Sequence, residues 1–137
     1  PSTGAARVFS TSEPLRVLSP AVARAVRDMM ISVVEDGTGK AAAIRGLSIA
    51  GKTGTAQKAQ PGKGFEEAPV VVSFLGLFPA DAPTYLILIT YDEPQKLKWG
   101  SVASAPVFRR VALRLAERDG LLKTQANPSE GGRRASH

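Results

Sequence analysis

The sequence predicts an α+β fold: an antiparallel sheet of about three strands packed with an N-terminal and a C-terminal helix. Three observations carry this. Apolar residues recur at helical spacing between Ser19 and Gly37 and again from about Ser101 to Arg118. Between them lie one alternating stretch and two β-branched, aromatic ones. The links joining these stretches show no helical crossover pattern, which favours antiparallel pairing with helices laid on a face. At 137 residues the chain is long enough for one small domain with a modest core.

Residues 1–18 mix Ser, Thr, Gly and Pro with single apolar residues (Val8, Phe9, Leu15, Val17, Leu18) and read as loop plus one short strand. Ser19 then offers a cap and Pro20 suits a first helical turn. Val22, Val26, Met29, Met30, Val33 and Val34 form the apolar stripe of this helix, expected to pack against a core, and Gly37 stops it. Residues 36–46 read as a loop with one helical turn. Residues 47–58 alternate, with Leu47, Ile49, Gly51, Thr53 and Thr55 on one face and Ser48, Ala50, Lys52, Gly54 and Ala56 on the other. That is strand periodicity.

After a turn-rich connection at 59–69, the stretches 70–78 and 84–91 read as two strands joined tightly by 79–83 into a hairpin. The last helix carries Pro106 early, where proline does least harm, and Val107, Phe108, Val111 and Leu115 as its stripe. The globular part is expected to span residues 1–119, and the polar, Gly-rich residues 120–137 to form a mobile tail. The sequence has no internal repeat.

Composition narrows the chemistry. There is no cysteine, and His137, the single histidine, is the last residue. Thiol nucleophiles, Cys-type metal sites and a Ser-His-Asp triad therefore cannot be assembled from these residues. The net charge of +6 favours anionic partners or a solvated basic face. Aromatic residues are few and not interleaved with Lys and Arg, so no nucleic-acid partner is expected. No apolar run approaches bilayer-spanning length, and the first residues hold no apolar signal core.

One stretch, Gly46 to Gln57, reads two ways. Gly46-x-x-x-x-Gly51-Lys52-Thr53 fits a phosphate-cradling P-loop. Lys52-Thr53-Gly54-Thr55 is also a Lys-Thr-Gly run of the kind serine acyl-transferases carry on a strand. A P-loop must follow a buried strand and open a helix. Residues 40–45 are too short and charged for that strand, and two glycines and a proline follow Thr53 within ten positions. The strand reading fits better. Gly54 would let a substrate backbone approach, Thr53 and Thr55 would offer hydroxyls to one carboxylate, and the Thr55 amide at an exposed edge would stabilise an oxyanion. Alternation puts Lys52 on the other face, so either its stem reaches around or the strand twists.

The match extends well past three residues. Leu18 to Lys58, the two strands at 70–95 and the helix around Pro106, Val107 and Phe108 resemble, in order and spacing, the third motif, following strands and closing helix of class B penicillin-binding proteins. The resemblance covers roughly residues 15–119. It implies a partial serine β-lactamase/transpeptidase-like fold and an acyl transfer on the peptidoglycan stem peptide, with β-lactam antibiotics trapping the same serine. Lys52 and Thr55 would then be catalytic, and Thr53, Gly54 and Thr55 substrate-binding, with no metal and no cofactor. The work would be done on the extracytoplasmic side of a bacterial cytoplasmic membrane, with any anchor outside this chain.

The departure from the family pattern is equally informative. None of the eleven serines is followed three positions on by lysine, and no Ser-x-Asn or Tyr-x-Asn occurs. The resemblance places those motifs upstream, so the chain is expected to be the carboxyl-terminal part of a transpeptidase domain, inactive alone. It would need the N-terminal remainder of the domain, or self-association, to cover its edge and apolar face. A non-catalytic binding or sensor module is the competing reading.

Overall fold

The computed structural model describes residues 13, 15–59, 61–62, 68–96 and 99–122. The short strand expected within 1–18 falls largely outside these residues, as does the tail beyond 122. Helix α1 spans Pro20–Asp36, and a single 3-10 turn follows at Lys40–Ala42. Strands β1 (Ala50–Gln57), β2 (Val70–Phe78) and β3 (Tyr85–Asp92) come next, then helix α2 (Gly100–Arg118). The three strands form one antiparallel sheet in the order β1-β2-β3.

Local chemistry accounts for the ends of α1. Ser19 Oγ accepts a hydrogen bond from the Val22 N–H at 3.3 Å, with Pro20 opening the first turn. At the other end the amides of Gly37 and Gly39 both donate to the Val33 carbonyl, at 3.1 and 2.9 Å. Strand β2 occupies the expected residues, while β3 and α2 each shift by one residue at their start. The expected strand 47–58 is trimmed at its beginning, because Leu47 closes a tight turn instead of joining the ladder.

The core lies on the face of the sheet covered by α2. Phe74 and Phe78 from β2 and Phe108 from α2 are fully buried, with ring centroids 4.9 Å apart for Phe74–Phe108 and 5.9 Å for Phe78–Phe108. Each such ring contributes on the order of 1.5–3 kcal/mol through burial. The core-facing line of α2 differs from the expected stripe. Ala105, Phe108, Ala112 and Ala116 are buried, whereas Val111 is exposed. Alanines bring the helix axis close to the sheet, and a β-branched row would hold it off. Ser104, buried among them, satisfies its hydroxyl on the Val72 carbonyl at 3.3 Å.

Helix α1 also departs from expectation. Its last turns pack on β1 and bury Val34, but Val22, Val26 and Met29 stay exposed, Met29 at 62%. The stripe has the predicted spacing; the described residues supply no wall for its first half. The opposite face of the sheet behaves alike, with Leu86 68% and Leu88 60% exposed.

Two ionic clusters tie the sheet's ends. Arg118, Asp119 and the Tyr85 hydroxyl bond mutually, joining the end of α2 to the start of β3. The Arg118 guanidinium and then the Tyr85 hydroxyl push the Asp119 carboxyl down to about 2. At the other end Lys58 Nζ reaches Asp92 at 2.5 Å and Glu93 at 2.8 Å, and these carboxylates hold its pKa above the ordinary lysine value.

Candidate functional site

The site residues sit on an edge strand entered through a turn. Ile44 to Leu47 folds back on itself, the Leu47 N–H donating to the Ile44 carbonyl at 3.1 Å, with Gly46 at φ 82° where a side chain would be strained. The Ser48 carbonyl then accepts from the Ala80 N–H at 2.9 Å. From Ala50 the chain is extended and paired without interruption, from Ala50 opposite Leu77 to Gln57 opposite Val70. A P-loop needs the amides of Gly51, Lys52 and Thr53 curled at a helix start. Here they belong to a β ladder, so the residues are in the wrong backbone for a nucleotide phosphate.

The direction of the backbone groups follows from the ladder. The Lys58 N–H donates to the Pro69 carbonyl at 2.8 Å. In an antiparallel pair, alternate residues turn both backbone groups toward the partner strand and the others turn them away. Gly54 therefore faces β2, while Thr53 and Thr55 present N–H and C=O to the side of β1 where no described strand pairs. The side chain of Lys52 agrees, since its Nζ donates to the Thr53 carbonyl at 2.9 Å. That contact also resolves how the lysine relates to the threonines. The strand is unbroken, and the flexible stem carries the ammonium around to the edge.

Side chains divide by face. Thr53 shares a register row with Phe74 and Ile89, and Thr55 one with Val72 and Tyr91, on the α2 side; Lys52 shares one with Leu75 and Leu88 on the open side. Lys52 and Thr55 are exposed, and Thr53 and Gly54 half-buried. The strand thus brings all four expected residues to one ledge: an ammonium, two hydroxyls and outward amides around a position without a side chain. Such a ledge suits a carboxylate at the end of an extended peptide.

Sequence reasoning missed three neighbours. Thr38, just beyond α1, shares a 3.1 Å hydrogen bond between its Oγ1 and that of Thr53, orienting the hydroxyl. Its setting between Gly37 and Gly39 was the available signal. Ser73 faces Gly54 across the ladder, and a β-carbon added at Gly54 would lie 2.5 Å from its Oγ. Gly100 presses on the same rung from the α2 side; only tertiary structure reveals the last two. No group of acidic or histidine side chains among the described residues is arranged to hold a metal, and no helix among them is long and apolar enough to cross a membrane.

Residues 7–113 match the penicillin binding protein transpeptidase domain family. The chain is 43% identical over 116 residues to penicillin-binding protein PbpB of Mycolicibacterium smegmatis, covering 77% of this chain and 18% of that protein. It is 35% identical over 105 residues to a peptidoglycan D,D-transpeptidase FtsI homolog of Chlorokybus atmophyticus, covering 76% of this chain and 16% of that protein. The chain therefore spans less than a fifth of the length of these relatives. Among solved structures, the transpeptidase domain of Burkholderia pseudomallei penicillin-binding protein 3 superposes with a TM-score of 0.70 at 34% identity, covering 82% of this chain and 34% of that one. Penicillin-binding protein 3 of Mycobacterium tuberculosis, complexed with ampicillin, gives 0.70 at 35% identity, covering 87% and 29%.

Proposed function

The chain belongs to the penicillin-binding protein transpeptidase family, and on that premise we propose that it is part of a peptidoglycan D,D-transpeptidase, supplying the strand that grips the stem peptide. The observation that carries this is the edge of β1 that no described strand pairs, where Lys52 Nζ meets the Thr53 carbonyl, Thr53 and Thr55 share one face and the Thr55 N–H points outward. In the reaction a serine hydroxyl from elsewhere in the same protein attacks the carbonyl carbon of the penultimate D-Ala. The C–N bond breaks, the terminal D-Ala leaves as a protonated amine, and an acyl-enzyme ester remains. The amine of a second stem peptide then displaces the serine, which regains its proton.

Each ledge residue has a role in this scheme. The Thr53 and Thr55 hydroxyls hold the terminal carboxylate, or that of a β-lactam. Lys52 supplies positive potential and binds the hydroxyl of the serine in the upstream Ser-x-Asn motif, leaving the Thr53 carbonyl when that partner is present. The Thr55 N–H donates to the oxyanion, and one such donor is worth on the order of 10²–10³ in rate. Gly54 lets the substrate backbone approach. Serine acyl transfer of this kind requires no metal or cofactor. Peptidoglycan as substrate places the reaction on the extracytoplasmic side of a bacterial membrane.

The exposed stripe of α1, the open leucines and the edge of β3 that no described strand pairs suit burial against the remainder of the domain. Without it, a second copy of this chain is the alternative cover. Sedimentation and thermal unfolding across concentrations test this, because a monomer of unchanging melting temperature would leave those surfaces unneeded.

The functional test is acylation by a fluorescent penicillin, read by mass spectrometry. The protein carrying the whole domain is expected to form a covalent adduct, and this chain alone none. An adduct on this chain alone would move the nucleophile into it. A whole protein that binds penicillin reversibly without an adduct would favour the non-catalytic binding reading.

A further inference from the structure

The peptide group joining Gly54 to Thr55 is gripped from behind. Its carbonyl faces β2 and its N–H faces the open edge, so any tilt of the carbonyl swings the amide. On the α2 side lies buried Gly100, the first residue of the helix. A β-carbon there would lie 3.0 Å from the Gly54 carbonyl oxygen and would overlap the carbonyl oxygen of Ser73, its register partner. These are backbone atoms within a hydrogen-bonded rung, and they cannot swing aside as a flexible side chain does. One turn on, Ser104 Oγ bonds the carbonyl of Val72, the register partner of Thr55. On the opposite face the Ser73 hydroxyl occupies the space beside Gly54. The first two turns of α2 therefore rest on the two rungs that bracket the Gly54–Thr55 peptide.

We propose that Gly100 is a positioning residue for the acyl transfer: by bringing the start of α2 into backbone contact with the Gly54–Ser73 rung, it sets the direction of the Thr55 N–H. This rests on the reading of that amide as an oxyanion donor. Hydrogen bonds weaken steeply as they leave linearity, and a misaimed amide costs most where charge develops, in the transition state. Gly100→Ala should therefore slow the acylation step and leave the preceding binding of the β-lactam almost unchanged. A role confined to packing would lower stability without separating those two constants.

The test uses the protein carrying the whole transpeptidase domain, acylated by benzylpenicillin under rapid mixing, with the ester carbonyl stretch of the acyl-enzyme read by infrared difference spectroscopy. For Gly100→Ala the acylation rate constant is expected to fall about tenfold or more, with the pre-acylation dissociation constant within about twofold. The ester band is expected to move to higher wavenumber as its hydrogen bond weakens. Val102→Ala, in the same turn but exposed, should change neither. An adduct with unaltered rate and band in Gly100→Ala overturns the proposal, and so does a slower rate with an unmoved band. If Gly100→Ala does not fold, Ser104→Ala takes its place, with the same direction of change expected and the same unmoved band decisive against it. Absence of any adduct from the unsubstituted protein would instead remove the transpeptidase reading, and this proposal with it.

Discussion

The two faces of the sheet are built from similar residues and do different work. On the α2 side, Val72, Phe74 and Phe78 are fully buried beneath Phe108 and a line of alanines. On the other side, Leu86 and Leu88 lie 68% and 60% exposed, in register rows that end at Ala50 and Lys52. The covered face fixes the backbone of β1 through close contacts, while the site residues gather at the outer edge of β1, Thr53 and Thr55 from the α2 side and Lys52 reaching it from the open side. Substitutions in the core beneath α2, on the open leucines and at that edge should therefore fail in different ways.

The largest expected effect tests the covered face. Phe108→Ala removes the ring shared by Phe74 and Phe78 and is expected to cost about 3–5 kcal/mol by urea unfolding. Leu88→Ala, in this chain alone, should stay within about 0.5 kcal/mol because its side chain is largely in water. A larger Leu88 cost in the protein carrying the whole domain would show that face covered there. Equal costs for Phe108 and Leu88 in the isolated chain would erase the comparison.

Next in size is Lys52→Ala in the whole protein. Acylation should slow by about a hundredfold, the scale of one electrostatic contribution to the transition state, with unfolding free energy changed by less than about 0.5 kcal/mol. Gly54→Ala sharpens the same point, because its new β-carbon would meet Ser73 Oγ at 2.5 Å. Adding Ser73→Ala should recover most of the lost stability, while acylation stays slow if the glycine serves substrate approach. Recovery of both would reduce Gly54 to a packing requirement.

A smaller change is expected from Thr38→Val, which removes the 3.1 Å hydrogen bond to Thr53. Pre-acylation binding of a β-lactam should weaken about threefold to tenfold, the worth of a typical hydrogen bond, with the acylation rate constant nearly unchanged. The smallest effect concerns acid. Asp119 has a folded pKa of about 2 against an ordinary 3.8, so the unfolded chain takes up its proton first as pH falls. The contribution is present above about pH 3.8 and is lost as pH drops toward 2. Asp119→Asn should flatten that part of the pH profile of unfolding.

Much of this architecture is legible in the sequence where the cause is local. Ser19, Pro20 and Gly37 mark α1 because capping chemistry depends on neighbours a few residues away. The β-branched run at 70–78 marks β2 for the same reason. Lys52 to Thr55 could be placed on a strand because residues 47–58 alternate and the two glycines and proline after Thr53 leave no room for a helix. What stayed hidden is whatever depends on a distant partner. Periodicity groups Val22, Val26 and Met29 on one face of α1 without saying that no described residue covers it. It also favours valines over alanines as the core line of α2, although close approach to the sheet selects Ala105, Ala112 and Ala116. Thr38 and Gly100 reach the site across fifteen and forty-six positions from Thr53 and Gly54; the glycines flanking Thr38 hint at a special position without naming its partner, and Gly100 has no local signature of its role.

The central claim is that the outer edge of β1 is the carboxylate grip and oxyanion donor. A crystal structure of the protein carrying the whole domain, acylated by a β-lactam, tests it most directly. The expected result has the β-lactam carboxylate hydrogen-bonded to the Thr53 and Thr55 hydroxyls, the ester oxygen on the Thr55 N–H, and Lys52 Nζ moved off the Thr53 carbonyl. An acylated site in which the edge from Lys52 to Thr55 touches neither the carboxylate nor the ester would contradict it.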